Sequence, residues 1–153
     1  MTIKLATAIR NTRANDIASA IDAGSTGGVL TIYSGTRPAT PGGAIDPFTN
    51  LVLGELTFSK PCKSSVDNGV LTFASIAQDA SANNSGTATW SRITNSDGGF
   101  CMDLDVTNNS GNGDIKLNST DRWMSPNSVT DWCKLGELLE TLIMEYQTIS
   151  SQA

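Results

Sequence analysis

The chain of 153 residues contains no histidine. That removes Ser-His-Asp and Cys-His catalysis and any zinc site built on imidazole. Charge is scarce. Only 16% of residues are charged, with 10 basic against 15 acidic and a formal net charge of −5. An acidic chain without a Lys/Arg cluster is poorly suited to gripping a phosphate backbone, so no nucleic-acid partner is expected. No apolar run reaches the roughly 18 residues that would span a bilayer, so no membrane partner is expected. Lys4, Arg10, Arg13 and Asp16 interrupt any secretory apolar core near the start, which points to folding in a reducing cytoplasm. Cys62, Cys101 and Cys133 are odd in number, widely spaced and form no C-x-x-C. They fit neither a disulfide framework nor a four-ligand zinc site, and read as buried or half-buried thiols. No cofactor and no metal is implied.

What is abundant is small and turn-forming: 61 residues are Ser, Thr, Asn or Gly. A hydrophobic fraction of 39% still allows one core in a domain of this size. Residues 5–23 hold no Pro or Gly. Ala6, Ile9, Ile17, Ala20 and Ile21 fall near one face at helical spacing, with Arg10, Arg13, Asp16 and Asp22 opposite, and Gly24 supplies a stop. Beyond Gly27 short strands alternate with turn signals. Strands are predicted at Val29–Tyr33, Leu51–Phe58, Val70–Ser75, Thr87–Thr94, Phe100–Val106 and Asp114–Asn118. In the second, Val52, Gly54, Leu56 and Phe58 share a face; in the fifth, Phe100, Met102, Leu104 and Val106 do. Thr36–Asn50 carries Pro38, Pro41, Gly42, Gly43 and Pro47 and reads as a loop. Asp67-Asn68-Gly69 and Asn95–Gly99 are tight-turn signals.

The fold class that follows is mostly β: an antiparallel β-sandwich, of the immunoglobulin-like or jelly-roll-like kind, with an N-terminal α-helix. Residues 1–24 form the helix, packed on or extending from the sandwich. Residues 25–153 form the β-sandwich domain, with a variable segment from about residue 125. That tail supports two readings. Leu138, Leu139, Leu142, Ile143 and Tyr146 make a helical stripe, whereas Leu142, Met144 and Tyr146 alternate as a strand.

Few clusters suggest chemistry. Asp103 and Asp105 project from one face of a strand, an arrangement usable for acid–base work or calcium. The dense oxygen run and glycine of a calcium loop are missing, so a solvated strand face is expected. Gly24–Gly28 follows a helix and precedes a strand, the reverse of a phosphate loop, and reads as a turn. Lys4, Arg10 and Arg13 form a basic trio on a helix of mixed charge; a solvated face is expected, ahead of a contact for an acidic patch on a partner protein and, last, for nucleic acid. Trp90 alternates with small residues and reads as core; Trp123 beside Arg122 is a candidate contact anchor.

Taken in order, KLATAIRN at Lys4–Asn11, LTIYSGTRPATP at Leu30–Pro41 and SGTATWSRI at Ser85–Ile93 resemble the motifs of a group of small tailed-bacteriophage virion proteins. The likeness begins with Lys4-Leu5-Ala6-Thr7-Ala8-Ile9-Arg10-Asn11 and continues with Ala20-Ile21-Asp22-Ala23-Gly24. Leu30–Pro41 (LTIYSGTRPATP), Leu53–Ser59, Ser85–Ile93 (SGTATWSRI) and Ser96–Gly99 follow in the same order, covering roughly residues 1–120. The tail departs, since Ser125–Leu135 looks like an insertion before a closing strand at Thr141–Thr148. The motifs carry no catalytic residue. The resemblance implies a non-enzymatic virion structural protein, assembled in the bacterial host cytoplasm and present as a homo-oligomer or in many copies per particle. Its partner would be the major capsid protein or another virion structural protein. A capsid decoration or cement role comes first, and a neck, tail or baseplate accessory role second. A carbohydrate-binding or receptor-recognition module is the competing class. Contacts are expected from Lys4, Arg10, Arg13, Arg37, Phe48, Arg122 and Trp123.

Overall fold

The computed structural model describes residues 4–77, 79, 83–108 and 110–117. Arg122, Trp123, Trp132, Cys133 and both readings of the tail lie outside the described residues. Helix α1 spans Thr7–Ile21. No side chain caps its start, where Arg10 N donates to the Ala6 carbonyl at 3.1 Å. Gly24, at φ 101°, lets the chain leave it. The buried stripe is Ala14, Ala18 and Ile21, with Ile17 packed beside them. This corrects the expected stripe: Ala6 and Ala20 are exposed and Ile9 is 48% exposed. The small residues Ala14 and Ala18, at i and i+4, let the helix backbone approach its neighbours closely.

Among the described residues eight strands follow: β1 Val29–Tyr33, β2 Val52–Phe58, β3 Lys63–Asp67, β4 Val70–Phe73, β5 Ile76–Ala77, β6 Trp90–Thr94, β7 Phe100–Asn108 and β8 Ile115–Leu117. They form a six-stranded sheet in the order β5-β2-β1-β6-β7-β8 and a separate two-stranded sheet of β3 and β4. The arrangement is mostly β and sandwich-like. One layer is the large sheet; the other is the β3–β4 hairpin together with α1, which touches both of its strands. Leu30, Ile32, Leu56, Ile93, Leu104 and Val106 from the sheet meet Leu71, Phe73, Cys62 and the helix stripe in one core. Each large apolar side chain taken out of water there contributes about 1.5–3 kcal/mol.

Local chemistry explains several elements. Strand β3 is too polar to be read as a strand from its sequence. It forms because Asn68 (φ 51°) and Gly69 (φ 83°) make the two-residue turn with both φ positive that matches strand twist. Asp67 is thereby set against Val70. The hairpin turn is held to the helix by Gly69 N donating to Asn11 Oδ1 at 2.7 Å. Near the other end of α1, Cys62 N donates to Asp22 Oδ1 at 2.8 Å.

Two bulges correct the face assignments. Strand β1 pairs with β2 through Ile32↔Gly54 and then Tyr33↔Val52, which makes Leu53 the extra residue. Leu53 is buried in the core and Val52 turns to the opposite face. Likewise Ile93↔Met102 is followed by Thr94↔Phe100, so Cys101 is extra and Phe100 leaves the core face for that of Arg92. The expected β8 is present with Ile115 and Leu117 inward, but it pairs with β7 in parallel. The return is fastened by Asp105 N to Asp114 Oδ2 at 3.0 Å and by Gly113 N to Thr107 Oγ1 at 3.0 Å.

Candidate interaction surface

The sheet face turned away from the core carries two cross-strand rows set by register. One is Tyr33–Trp90–Asp105; the other is Thr31–Arg92–Asp103. In the first, the Tyr33 and Trp90 rings stack at 4.4 Å with planes 11° apart. Burial pushes the Tyr33 hydroxyl above its ordinary value, so it stays neutral. In the second, Arg92 grips Asp103 with both ends of its fork, Nε to Oδ1 at 2.7 Å and Nη2 to Oδ2 at 2.9 Å. The pair is nearly buried, with side chains 11% and 7% exposed. The Arg92 carbon lies 5.6 Å from the Trp90 ring centre and 5.2 Å from that of Phe100. The hydrogen bonds to Asp103 hold the guanidinium above its already high value.

The loop between β1 and β2 lies across these rows and is fastened to them. Arg92 Nη1 donates to the Gly43 carbonyl at 3.0 Å, and Gly42 N to Asp103 Oδ2 at 3.4 Å. Trp90 Nε1 donates to Asn50 Oδ1 at 3.0 Å, and Thr89 Oγ1 to the Gly35 carbonyl at 2.7 Å. Arg37 meets Asp105 at 3.1 Å. The base closes where Ser34 N donates to the Leu51 carbonyl at 3.0 Å. Gly35 makes that closure possible: its φ is 96°, and a Cβ there would stand 2.1 Å from the Thr49 carbonyl oxygen.

Just before β2 Asp46 organises a single turn. Its side chain accepts from Phe48 N at 2.9 Å, and its carbonyl accepts from Asn50 N at 3.0 Å. Pro47 pre-sets the backbone between them. On this turn stands Phe48, 93% exposed. Along the first half of the loop, Arg37, Pro38, Ala39, Pro41, Phe100 and Asp103 are among the residues lining an open depression of about 370 Å³.

The other sequence-predicted contacts are placed elsewhere. Lys4 and Arg13 are exposed at and on the helix, on the opposite side of the sheet from Arg37 and Phe48. Arg10 is half-buried against the Asn68–Gly69 turn. Its Nη2 donates to Thr7 Oγ1 at 3.1 Å, while its Nε is buried without a hydrogen-bond partner. Asp105 is exposed, as a solvated strand face requires; Asp103 is not, because Arg92 stands opposite it. Trp90 is 1% exposed, buried as expected but beneath the loop on the outer face rather than in the shared core, and offers no platform for a sugar. Cys62 is buried and Cys101 half-buried. Burial, reinforced by the Asp22 charge, pushes the Cys62 thiol up to about 12. Among the described residues no group of three acidic or cysteine side chains is placed to hold a metal, and no helix is long and apolar enough to cross a membrane.

The importance of Arg92 and Asn50 was not visible in the sequence, since it depends on which residues face each other across strands. Comparison of the chain with protein-family models, curated proteins and solved structures finds no match in any of the three.

Proposed function

We propose that the chain is a non-enzymatic structural protein of a tailed-bacteriophage virion, a capsid decoration protein that binds by repeated surface contacts. The segment order quoted above, from Lys4 to Gly99, supports the virion assignment. The observation that carries the contact mechanism is Phe48, an aromatic residue 93% exposed on a turn already held rigid. Aromatic side chains are favoured interface anchors. A pre-set turn loses little conformational freedom on binding. Many copies on a symmetric shell multiply contacts that are individually weak.

Deleting residues 1–24 would strip Ala14, Ala18 and Ile21 from the core, so it would test folding rather than contact. The sharper test is location. Gold-labelled antibody raised against the purified chain is applied to particles of a phage encoding it. Label spread over the head is the expected result. Label confined to the neck, tail or baseplate would replace decoration by the accessory role. Absence of label and of the chain's peptides from purified particles would overturn the virion assignment.

A further inference from the structure

The depression along the first half of the loop has no part in the contact at Phe48. Its volume, about 370 Å³, lies at the small end of the roughly 300–1,000 Å³ found for ligand sites. Polar and apolar groups share its wall. The apolar part is Phe100, 42% exposed, with Pro38 and Pro41. The bulge at Cys101 turns Phe100 out onto this face. Its ring is held in place. The Arg92 carbon lies 5.2 Å from the ring centre, and Gly42 packs so close that a Cβ there would stand 3.2 Å from the ring.

The polar part is charged but already neutralised. Arg37 meets Asp105 at 3.1 Å. Asp103, its side chain 7% exposed, is gripped by both prongs of Arg92 and accepts from Gly42 N as well. An ionic ligand would have to displace a partner already in place. Hydrogen-bonding capacity is left over. A guanidinium carries about five N–H donors, and Arg37 meets Asp105 through Nη1. A carboxylate accepts at about four positions, and Asp103 accepts from Arg92 Nε, Arg92 Nη2 and Gly42 N. Such a wall suits a ligand that is uncharged, rich in hydroxyls and apolar on one flat face. We propose that the depression binds a neutral sugar ring, with its C–H face on Phe100 and its hydroxyls on Arg37 and Asp103. Both polar groups are pre-set by their ion pairs, so binding orders little that is not ordered already. The site goes beyond the decoration role and does not depend on it.

The test is titration of the isotope-labelled full chain, followed by its amide NMR spectrum. No virion is involved, so its failure is distinct from failure of the particle assignment. Glucose, galactose and mannose are added singly up to roughly 50 mM, enough to detect millimolar affinity. At least one is expected to shift the amides of Ala39, Gly42, Phe100 and Asp103 and few others. The matching uronic acid adds a carboxylate to the same ring and is expected to bind more weakly, since Arg37 already has its partner. Phe100→Leu keeps bulk but loses the flat ring, and weakens binding by about tenfold. Ala39→Trp fills the depression from an exposed position and abolishes binding. Circular dichroism identical to wild type shows that both variants remain folded. Tighter binding of the trisaccharide than of the single sugar assigns the site to a glycan chain, and equal binding assigns it to a free sugar. No shift with any of the three sugars, shifts away from the depression, tighter binding of the uronic acid, or undiminished binding by Ala39→Trp would each overturn the proposal.

Discussion

Arg92 ties two strands, a loop and two aromatic rings together at one point. Lysine has the charge but not the planar fork, so Arg92→Lys forfeits the two-pronged grip on Asp103 and the bond to Gly43. A loss of about 1–3 kcal/mol in urea unfolding is expected, because Asp103 would stay nearly buried with poorer company. Cys62 gives a second prediction at this scale. Its thiol, normally ionising near 9, is raised to about 12 in the fold, so the folded state favours the neutral form. The stabilisation is complete below pH 9 and is lost as pH rises from 9 towards 12, by up to about 1.4 kcal/mol per unit. Stability measured against pH should therefore fall over that range, and Cys62→Ala should flatten the fall. Sequence alone did not separate Asp103 from Asp105. They are alike in spacing and chemistry, and only the register that sets Arg92 opposite one of them distinguishes a pinned carboxylate from an exposed one.

Among the elements, α1 is defined by how little its buried face projects. Ala18 is 1% exposed and its carbonyl lies 3.5 Å from Cys62 Sγ, so a larger side chain must push the helix away from its packed neighbours. Ala18→Leu is expected to cost about 1–3 kcal/mol in thermal or denaturant unfolding. The β3–β4 turn is equally constrained. Gly69 has a φ of 83°, and a Cβ there would stand 2.8 Å from that of Arg10. Gly69→Ala should lower stability by about 1–3 kcal/mol, and hydrogen exchange should show the hairpin opening before the large sheet. The existence of most strands was legible because Asn, Gly and Asp punctuate them. Their faces were legible only up to the bulges. Strict alternation put Val52 and Phe100 in the core, and a single extra residue, Leu53 or Cys101, turned each to the other side. The helix was likewise found by its lack of Gly and Pro. Its buried stripe was misjudged, since isoleucine at position 9 outweighed alanine at 14 and 18 in an apolarity argument, whereas closeness of approach favours alanine.

At the scale of the whole fold, the described residues form a sheet covered on both sides, by helix and hairpin on one and by the fastened loop on the other. The helix shares the single core, so a chain lacking residues 1–24 should show no cooperative unfolding transition, in contrast to full-length protein followed by circular dichroism. Phe48→Ser, by comparison, touches nothing the fold relies on and should leave the melting temperature within about a degree. The β-rich class could be read from turn spacing. That the Pro- and Gly-rich stretch would lie flat against the sheet could not, because the bonds fixing it come from Trp90, Arg92 and Asp103, far away in sequence. The way that stretch is anchored has a practical consequence. Its closure depends on Ser34, Gly35, Asn50 and Leu51 at the base and on Gly42 and Gly43 at mid-span, while Ala44 and Ile45 take part in none of these links. A foreign peptide spliced between Ala44 and Ile45 would thus be displayed from a scaffold whose own folding it need not disturb.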